Sequence, residues 1–239
     1  MTFVNYAPVF LGVPLTSSQC HYSLLPGNST ISWTDAHLTP LGESQAQVAH
    51  AFWSTSLLNQ EVPAPQAYYV SPLTRAIQTA SITFSSLLPP AHPFKAIIKE
   101  LARETIGIHT CDRRSNASYI QSNFPSFTLE TNFSESDVLW SADLRESNPA
   151  MDRRLTAFLD DVFTHDRSTI LSVTGHGGMI GSILRVVGHR PFKLQTGGVI
   201  PVLVKVVKMP GPRPGGGYKG GREGWSGKPD CAHGENPHL

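Results

Sequence analysis

The chain has 239 residues, 40% of them apolar, which is long enough for one α/β domain with a sizeable core. Nineteen lysines and arginines nearly balance eighteen acidic residues, so the charge favours neither nucleic acid nor an anionic membrane as a partner. No apolar run in the sequence reaches the roughly 18 residues of a membrane span. Three widely spaced cysteines form no zinc or CxxC pattern and indicate a reducing compartment, so we expect a cytoplasmic location.

The first half of the sequence opens with an irregular stretch and continues with a helix. Residues 1–34 lack clear periodicity, and residues 1–30 are predicted to form a divergent N-terminal segment. A helix is predicted from Thr39, because threonine is a favourable cap and Pro40 suits a first turn. The apolar residues of this helix are spaced to form a stripe facing the core, at Leu41, Val48, Phe52, Leu57 and Leu58.

Short apolar and β-branched runs alternate with helical patterns along the remaining chain. Strands are predicted at residues 67–70, 95–101, 169–174 and 199–207. Helices are predicted after Ser71, which we interpret as a cap, over 137–163 with a break near Pro149, and from 177 to Gly188.

This alternation predicts a three-layer α/β sandwich around a mostly parallel sheet, in a domain covering residues 31–208. Ligands of such sheets bind outside the carboxyl ends of the strands. His176 lies at one such end, and the segment from Ser71 to Arg75 lies at another. Residues 209–239 are dominated by glycine and proline, and we expect this tail to be disordered.

His176 lies between small residues in "SVTGHGG", directly after an apolar run. The neighbouring glycines, including Gly177, allow the main chain to approach a ligand closely, and the N–H groups of the following helix favour an anion. A capping or core histidine is an equally good interpretation of this segment alone.

Two further segments carry candidate site residues. Arg75 in "SPLTRAIQTA" has a planar, permanently charged guanidinium suited to phosphate, although a surface ion pair is the simpler interpretation. Glu104 in "KELARET" is placed to act as a general acid or base beside a phosphate. The alternative is an exposed loop in which Glu100, Arg103 and Glu104 form ion pairs.

In chain order, "LTPLGESQA", "VSPLTRAIQTA", "ELARE" and "VTGHGGMIGSIL" resemble the histidine phosphatase superfamily, also called the phosphoglycerate-mutase-like family. The segments "WTDAHLTPLG", "GIHTCDRRS" and "VVGHRPFKLQTGGVIPVLVKV" are similar to its fungal phosphomutase-like branch. The resemblance covers about Ile31 to Val207 and implies the phosphoglycerate-mutase-like fold.

The resemblance implies phosphatase or phosphomutase chemistry on a small phosphorylated metabolite. In the family, a nucleophilic histidine takes the phosphoryl group and passes it to water or to a hydroxyl. By position, Arg75 and Gly177 would bind phosphate, His176 would stabilise charge, and Glu104 would exchange protons with the leaving oxygen and with water. No metal and no cofactor are implied, since arginine and histidine supply the positive field.

The family's nucleophile is missing from this chain. It belongs to an Arg-His-Gly motif on the first strand, whereas this sequence has no Arg-His dipeptide and its first arginine is Arg75. The family's sheet has that strand at its centre, so we expect it to be altered or missing here, and Pro8 makes "FVNYAPVFLGV" a poor central replacement. His21 lacks the arginine and glycine neighbours and is a weak substitute.

Three interpretations stay open. The chain is a phosphatase or phosphomutase of doubtful activity, or a catalytically inactive pseudo-phosphatase that binds a phosphorylated ligand. The third interpretation is a non-hydrolytic enzyme of small-molecule metabolism, with Glu104 and His176 as an acid–base pair.

Overall fold

The structure, a computed structural model, describes residues 2–5, 23–59, 62–87, 93–207 and 221–227. The strands in these residues are β1 (Thr2–Asn5), β2 (Ala67–Val70), β3 (Ala96–Ile98), β4 (Thr128–Leu129), β5 (Leu144–Arg145), β6 (Leu171–Gly175), β7 (Val199–Pro201) and β8 (Ser226–Gly227). The helices are α1 (Pro40–Leu58), α2 (Thr74–Phe84), α3 (Ala117–Asn123), α4 (Asn148–His165) and α5 (Gly177–Val186), and Thr110–Asp112 forms a 3₁₀ turn.

A six-stranded sheet lies at the centre, in the order β4-β3-β2-β6-β1-β7. Neighbouring strands pair in parallel from β4 through to β1, and β7 pairs antiparallel with β1 at the edge. The predicted mostly parallel sheet is therefore confirmed. Because parallel strands end at the same edge, the residues that follow β2, β3 and β6 are brought close together.

Helices cover both faces of this sheet, and successive residues of β2 point to opposite faces. Tyr69 packs in one core cluster with residues of α4 and α5, such as Phe158 and Ile183. Tyr68 packs in the other cluster with residues of α1 and α2, such as Trp53. The predicted three-layer sandwich is confirmed. None of the helices in the described ranges is both long enough and apolar enough to cross a membrane.

Helix α1 begins where the sequence predicts, but it buries a different face. The Thr39 side chain accepts a hydrogen bond from the Gly42 N–H at 3.2 Å and caps the helix. Of the predicted stripe, only Leu57 packs against the core, and the other four residues are exposed. The buried face consists of Gly42, Ala46, Ala49, Trp53 and Ser56. Small residues on this face allow α1 to pack closely on α2, and Trp53 supplies most of its apolar area.

The N-terminus of α2 is capped from a distant part of the chain. The buried carboxylate of Asp35 accepts hydrogen bonds from the N–H and the hydroxyl of Thr74, both at 2.8 Å, and from the Ser115 N–H at 2.9 Å. The interpretation of Ser71 as the cap is wrong, because α2 begins three residues later and Ser71 has another partner.

The first strand of the sheet is expected to be altered or missing. Strand β1 is present and lies inside the sheet, between β6 and the edge strand β7, with Asn5 opposite Gly175. The altered sequence of this strand stays a prediction. The strand ends at Asn5, and Pro8 lies outside the described residues.

Other differences from the predicted elements concern strand and helix ends. Only the part of 137–163 from Asn148 onward is helical, with Ser147 as its cap, and β7 ends at Pro201 rather than at 207. Most of the predicted tail lies outside the described residues, but Ser226–Gly227 within it pairs antiparallel with β5. The three predicted domain boundaries stay predictions.

Replacing Asp35 by alanine is expected to lower the free energy of unfolding by about 2–4 kcal/mol, because the buried N–H and hydroxyl of Thr74 and the partly buried N–H of Ser115 lose their acceptor. The matched control is Asp143→Ala, since this aspartate is exposed, and it should change stability by less than about 0.5 kcal/mol. Urea denaturation measures both. Equal stability of the two variants would contradict the capping role.

Candidate active site

His176 lies at the carboxyl end of β6, where it is the N-cap residue of α5 and is fully buried. Its Nε2 atom is 2.7 Å from the hydroxyl oxygen of Ser71. Ser71 follows β2, and its N–H donates to the Thr174 carbonyl, which continues the pairing of β2 with β6. The two side chains therefore meet because their strands are neighbours and run in the same direction.

Arg75 lies in the first turn of α2 and is fully buried. One terminal nitrogen donates to the Cys111 carbonyl at 2.6 Å and the other to the Asp112 carboxylate at 2.9 Å. Among the described residues, no acceptor reaches its Nε. Burial opposes the charge, but Asp112 and more distant carboxylates, including Glu104, outweigh it and hold the pKa of Arg75 above its usual value.

Asp112 is the partner that sequence reasoning missed. Its carboxylate is buried and bridges Arg75 to Arg145, which lies 3.0 Å away. Burial would raise the pKa of Asp112, but the two guanidinium groups overcome this effect and lower it. Burial and the charge of Arg145 lower the pKa of His109, so this imidazole is neutral near pH 7. No local sequence signal distinguishes Asp112 from an ordinary surface aspartate.

Glu104 follows β3 and reaches the start of α5. Its Oε2 accepts a hydrogen bond from the Gly178 N–H at 3.0 Å, and its Oε1 accepts one from the Thr105 N–H at 2.8 Å. A Cβ atom at residue 178 would overlap Oε1 of Glu104, so the carboxylate can approach this closely only while residue 178 is glycine and would otherwise have to shift. Gly177 and Gly178 are exposed, which leaves this end of α5 open to a ligand.

The other charged residues near Glu104 belong to separate ion pairs. Arg103 is fully buried and makes two hydrogen bonds to Asp137, at 2.7 and 2.6 Å. Glu100 pairs with Arg103 at 3.2 Å and with Arg114 at 2.7 Å. The alternative of an exposed ion-paired loop is wrong in its exposure, because Arg103 and Arg114 are buried, but Glu100 and Arg103 do pair. Among the described residues, Glu104 joins no ion pair.

The resemblance predicts the family's nucleophile on the first strand, and β1 ends at Asn5. Asn5 lies opposite Gly175, the residue before His176. The residues after Asn5 are Tyr6, Ala7 and Pro8, none of which carries an imidazole. His21 lies outside the described residues.

The structure thus brings the predicted residues Arg75, Glu104, His176 and Gly177 to one edge of the sheet. It adds Ser71, which joins His176 directly. A buried guanidinium, an imidazole, a carboxylate and a helix N-terminus thus lie at the carboxyl edge of a parallel sheet, where α/β proteins of this class bind their ligands.

Comparison with known proteins identifies the family within that class. A family model described as "Histidine phosphatase superfamily (branch 1)" matches residues 26–196, more than half of the chain. The chain belongs to the histidine phosphatase superfamily, as its resemblance suggests.

The relatives include fungal proteins, which confirms the fungal phosphomutase-like branch. The "Probable phosphoglycerate mutase" of Arthroderma benhamiae is 50% identical over 205 residues, which cover 85% of this chain and 60% of the relative. "Phosphomutase-like protein 3" of Candida albicans is 38% identical, over 78% of this chain and 58% of the relative. The chain thus spans about 60% of the length of these two relatives. A solved phosphoglycerate mutase from Thermus thermophilus is 19% identical with a TM-score of 0.41, over 86% of this chain and 95% of that one.

Gly178→Ala is expected to move the Glu104 carboxylate away from the residue 178 N–H, because the new methyl group takes its place. Gly181→Ala on the same helix is the control, since its Cβ would meet only Arg185, at 3.8 Å. The control should be more stable than the wild type by about 0.5–1 kcal/mol, because alanine has the higher helix propensity. Gly178→Ala should show no such increase in stability, because the Glu104 carboxylate is displaced. Crystal structures and urea denaturation provide the two measurements. A Glu104 carboxylate unmoved in Gly178→Ala would contradict the packing described.

Proposed function

We propose that the chain binds the phosphoryl group of a small phosphorylated metabolite at the carboxyl edge of the sheet, in a histidine-phosphatase-type pocket. Membership of the family supports phosphatase- or phosphomutase-like chemistry as the origin of this site. The cytoplasmic location expected from the cysteine pattern stays a prediction.

The observation that carries the proposal is the unused donor of Arg75. Its Nε–H is buried and has no acceptor among the described residues, although its two terminal nitrogens are both bonded. A buried donor without a partner costs about 1–3 kcal/mol, so such groups need an explanation. A phosphate oxygen would accept from Nε, and the bonds to Cys111 and Asp112 would hold the fork in place.

The remaining groups have complementary roles in the proposal. The imidazole of His176 would donate a hydrogen bond to a phosphoryl oxygen, with Ser71 fixing its ring. The N–H of Gly177 and the positive end of α5 would attract the anion. Glu104, held at the first turn of α5, would face the ester oxygen as its proton donor.

The attacking group is the part of the proposed pocket that the sequence does not identify, because the chain has no Arg-His dipeptide. Covalent phosphoryl transfer needs an imidazole in line with the leaving oxygen, and Tyr6, Ala7 and Pro8, the three residues after β1, carry none. The Cys111 thiol is no substitute, because burial raises its pKa to about 12 and keeps it protonated. We therefore infer that this chain is a pseudo-phosphatase, which binds a phosphorylated ligand without turning it over.

Hydrolysis is the second candidate, because the contact between Glu104 and Gly178 keeps an acid–base group at the site. The chain would then use an imidazole from outside the family's motif. His21 is one such group.

Arg75→Gln is expected to weaken the binding of inorganic orthovanadate at least about tenfold, because a charge-assisted donor worth about 1.5–3 kcal/mol is lost. The control is Arg113→Gln, whose guanidinium is exposed and lies 5.3 Å from the Trp140 ring. It should change the affinity by less than about twofold. Calorimetric titration, with circular dichroism to verify folding, measures both. Equal affinities of wild type and Arg75→Gln would contradict the assignment of the pocket.

Incubation with radiolabelled phosphoramidate is expected to leave no acid-labile phosphohistidine on the chain, and generic phosphate esters should release no phosphate above the buffer rate. The positive control is an active histidine phosphatase treated identically. A labelled histidine, together with phosphate release that His176→Ala abolishes, would contradict the interpretation as a receptor and show that the chain is a hydrolase.

A further inference from the structure

The ion pair between Glu146 and Arg154 lies at the base of the loop that carries Glu104. Arg154 is on α4, and Glu146 lies two residues before this helix. Both side chains are fully buried. The guanidinium makes two parallel bonds to the carboxylate, from Nε at 2.7 Å and from a terminal nitrogen at 2.6 Å.

Arg154 uses its remaining donors on the main chain around Glu104. These donors bond to the carbonyls of Leu101 at 2.6 Å, Arg103 at 3.2 Å and Glu104 itself at 3.1 Å. A guanidinium has five N–H groups, and here all five have acceptors. A lysine has three donors on a flexible stem and cannot reproduce this fixed fork.

Glu146 holds the chain on the other side of Glu104. Its Oε2 atom accepts from the Ile106 N–H at 3.2 Å, and its own N–H donates to the Ile106 carbonyl at 2.9 Å. The residues before and after Glu104 are thus tied to the start of α4, and the Glu104 side chain then reaches Gly178.

We infer that Glu146 and Arg154 are positioning residues that set the Glu104 carboxylate against the Gly178 N–H. A buried ion pair is a poor source of net stability, since well-packed apolar residues often replace one without loss. The pair instead supplies directed bonds that fix one loop geometry. The inference rests on the proposed function only for the role of Glu104 as a proton donor.

The Gly178 amide reports this geometry without any ligand. In the full chain labelled with ¹⁵N-glycine, the peak missing from Gly178→Ala identifies it. Glu104→Ala gives the position of the Gly178 peak when no carboxylate accepts its hydrogen bond. In Arg154→Lys we expect this peak to move most of the way towards that position and its hydrogen exchange to quicken about tenfold, as expected for a lost charge-assisted bond.

Leu159→Ala is the matched control, because this buried residue lies on the same helix in the core cluster and its side chain has no polar atom that could bond to the loop. It should destabilise α4 while leaving the Gly178 peak at the wild-type position. Glu146→Asp keeps the charge but shortens the side chain, and it provides the same readout if Arg154→Lys fails to fold. An unmoved Gly178 peak in the folded variants would overturn the inference.

Orthovanadate titration of the same variants separates this inference from the proposed function. If the wild-type chain binds and Arg154→Lys binds several-fold less tightly, both are supported. If the wild-type chain does not bind but the Gly178 peak still moves in Arg154→Lys, the proposed function fails and the positioning role stands.

Discussion

The parallel pairing of β6 with β2 is the constraint on which the site depends. It places Ser71 and His176 at the same level of the sheet, so that the hydroxyl and the imidazole meet at 2.7 Å. Two helices start within three residues of these side chains, and their N-termini face the same edge. A strand shifted by one residue would turn its side chains to the opposite face and separate the pair.

Buried arginines organise the loops at this edge. Arg75, Arg103 and Arg154 are fully buried, and each has a carboxylate partner, in Asp112, Asp137 and Glu146 respectively. Burying a charge is costly unless it is paired and hydrogen-bonded, so each arginine fixes the geometry of the loop that supplies its partner. The bonds of Arg154 use every donor, whereas among the described residues no acceptor reaches the Nε of Arg75 or that of Arg103.

The sequence predicts the residues whose signal is local. His176, Arg75 and Glu104 follow strands that can be recognised from their apolar runs, and the edge they share follows from parallel topology. The partners of these residues are not predictable in this way. Asp35 caps α2 across 39 residues, and Arg154 bonds to a loop about 50 residues away, so neither contact leaves a periodic pattern.

The errors in the predicted elements have the same origin. The helical spacing of the apolar stripe of α1 predicts that it faces the core, but Trp53 and small residues define the face that fits against α2. Ser71 has the sequence of a cap, yet its hydroxyl is used across the sheet by His176. Local sequence does not distinguish the two faces of α1 or the two possible partners of Ser71, and tertiary contacts decide between them.

The central claim is that a phosphoryl oxygen completes the bonding of Arg75 at the carboxyl edge of the sheet. Side-chain ¹⁵N NMR of the arginine Nε–H groups, recorded while inorganic orthovanadate is added, tests it most directly. The account predicts that the Arg75 resonance shifts on saturation and that its proton becomes protected from exchange, whereas the fully bonded Arg154 resonance stays in place. An Arg75 resonance unchanged at saturating orthovanadate would contradict it.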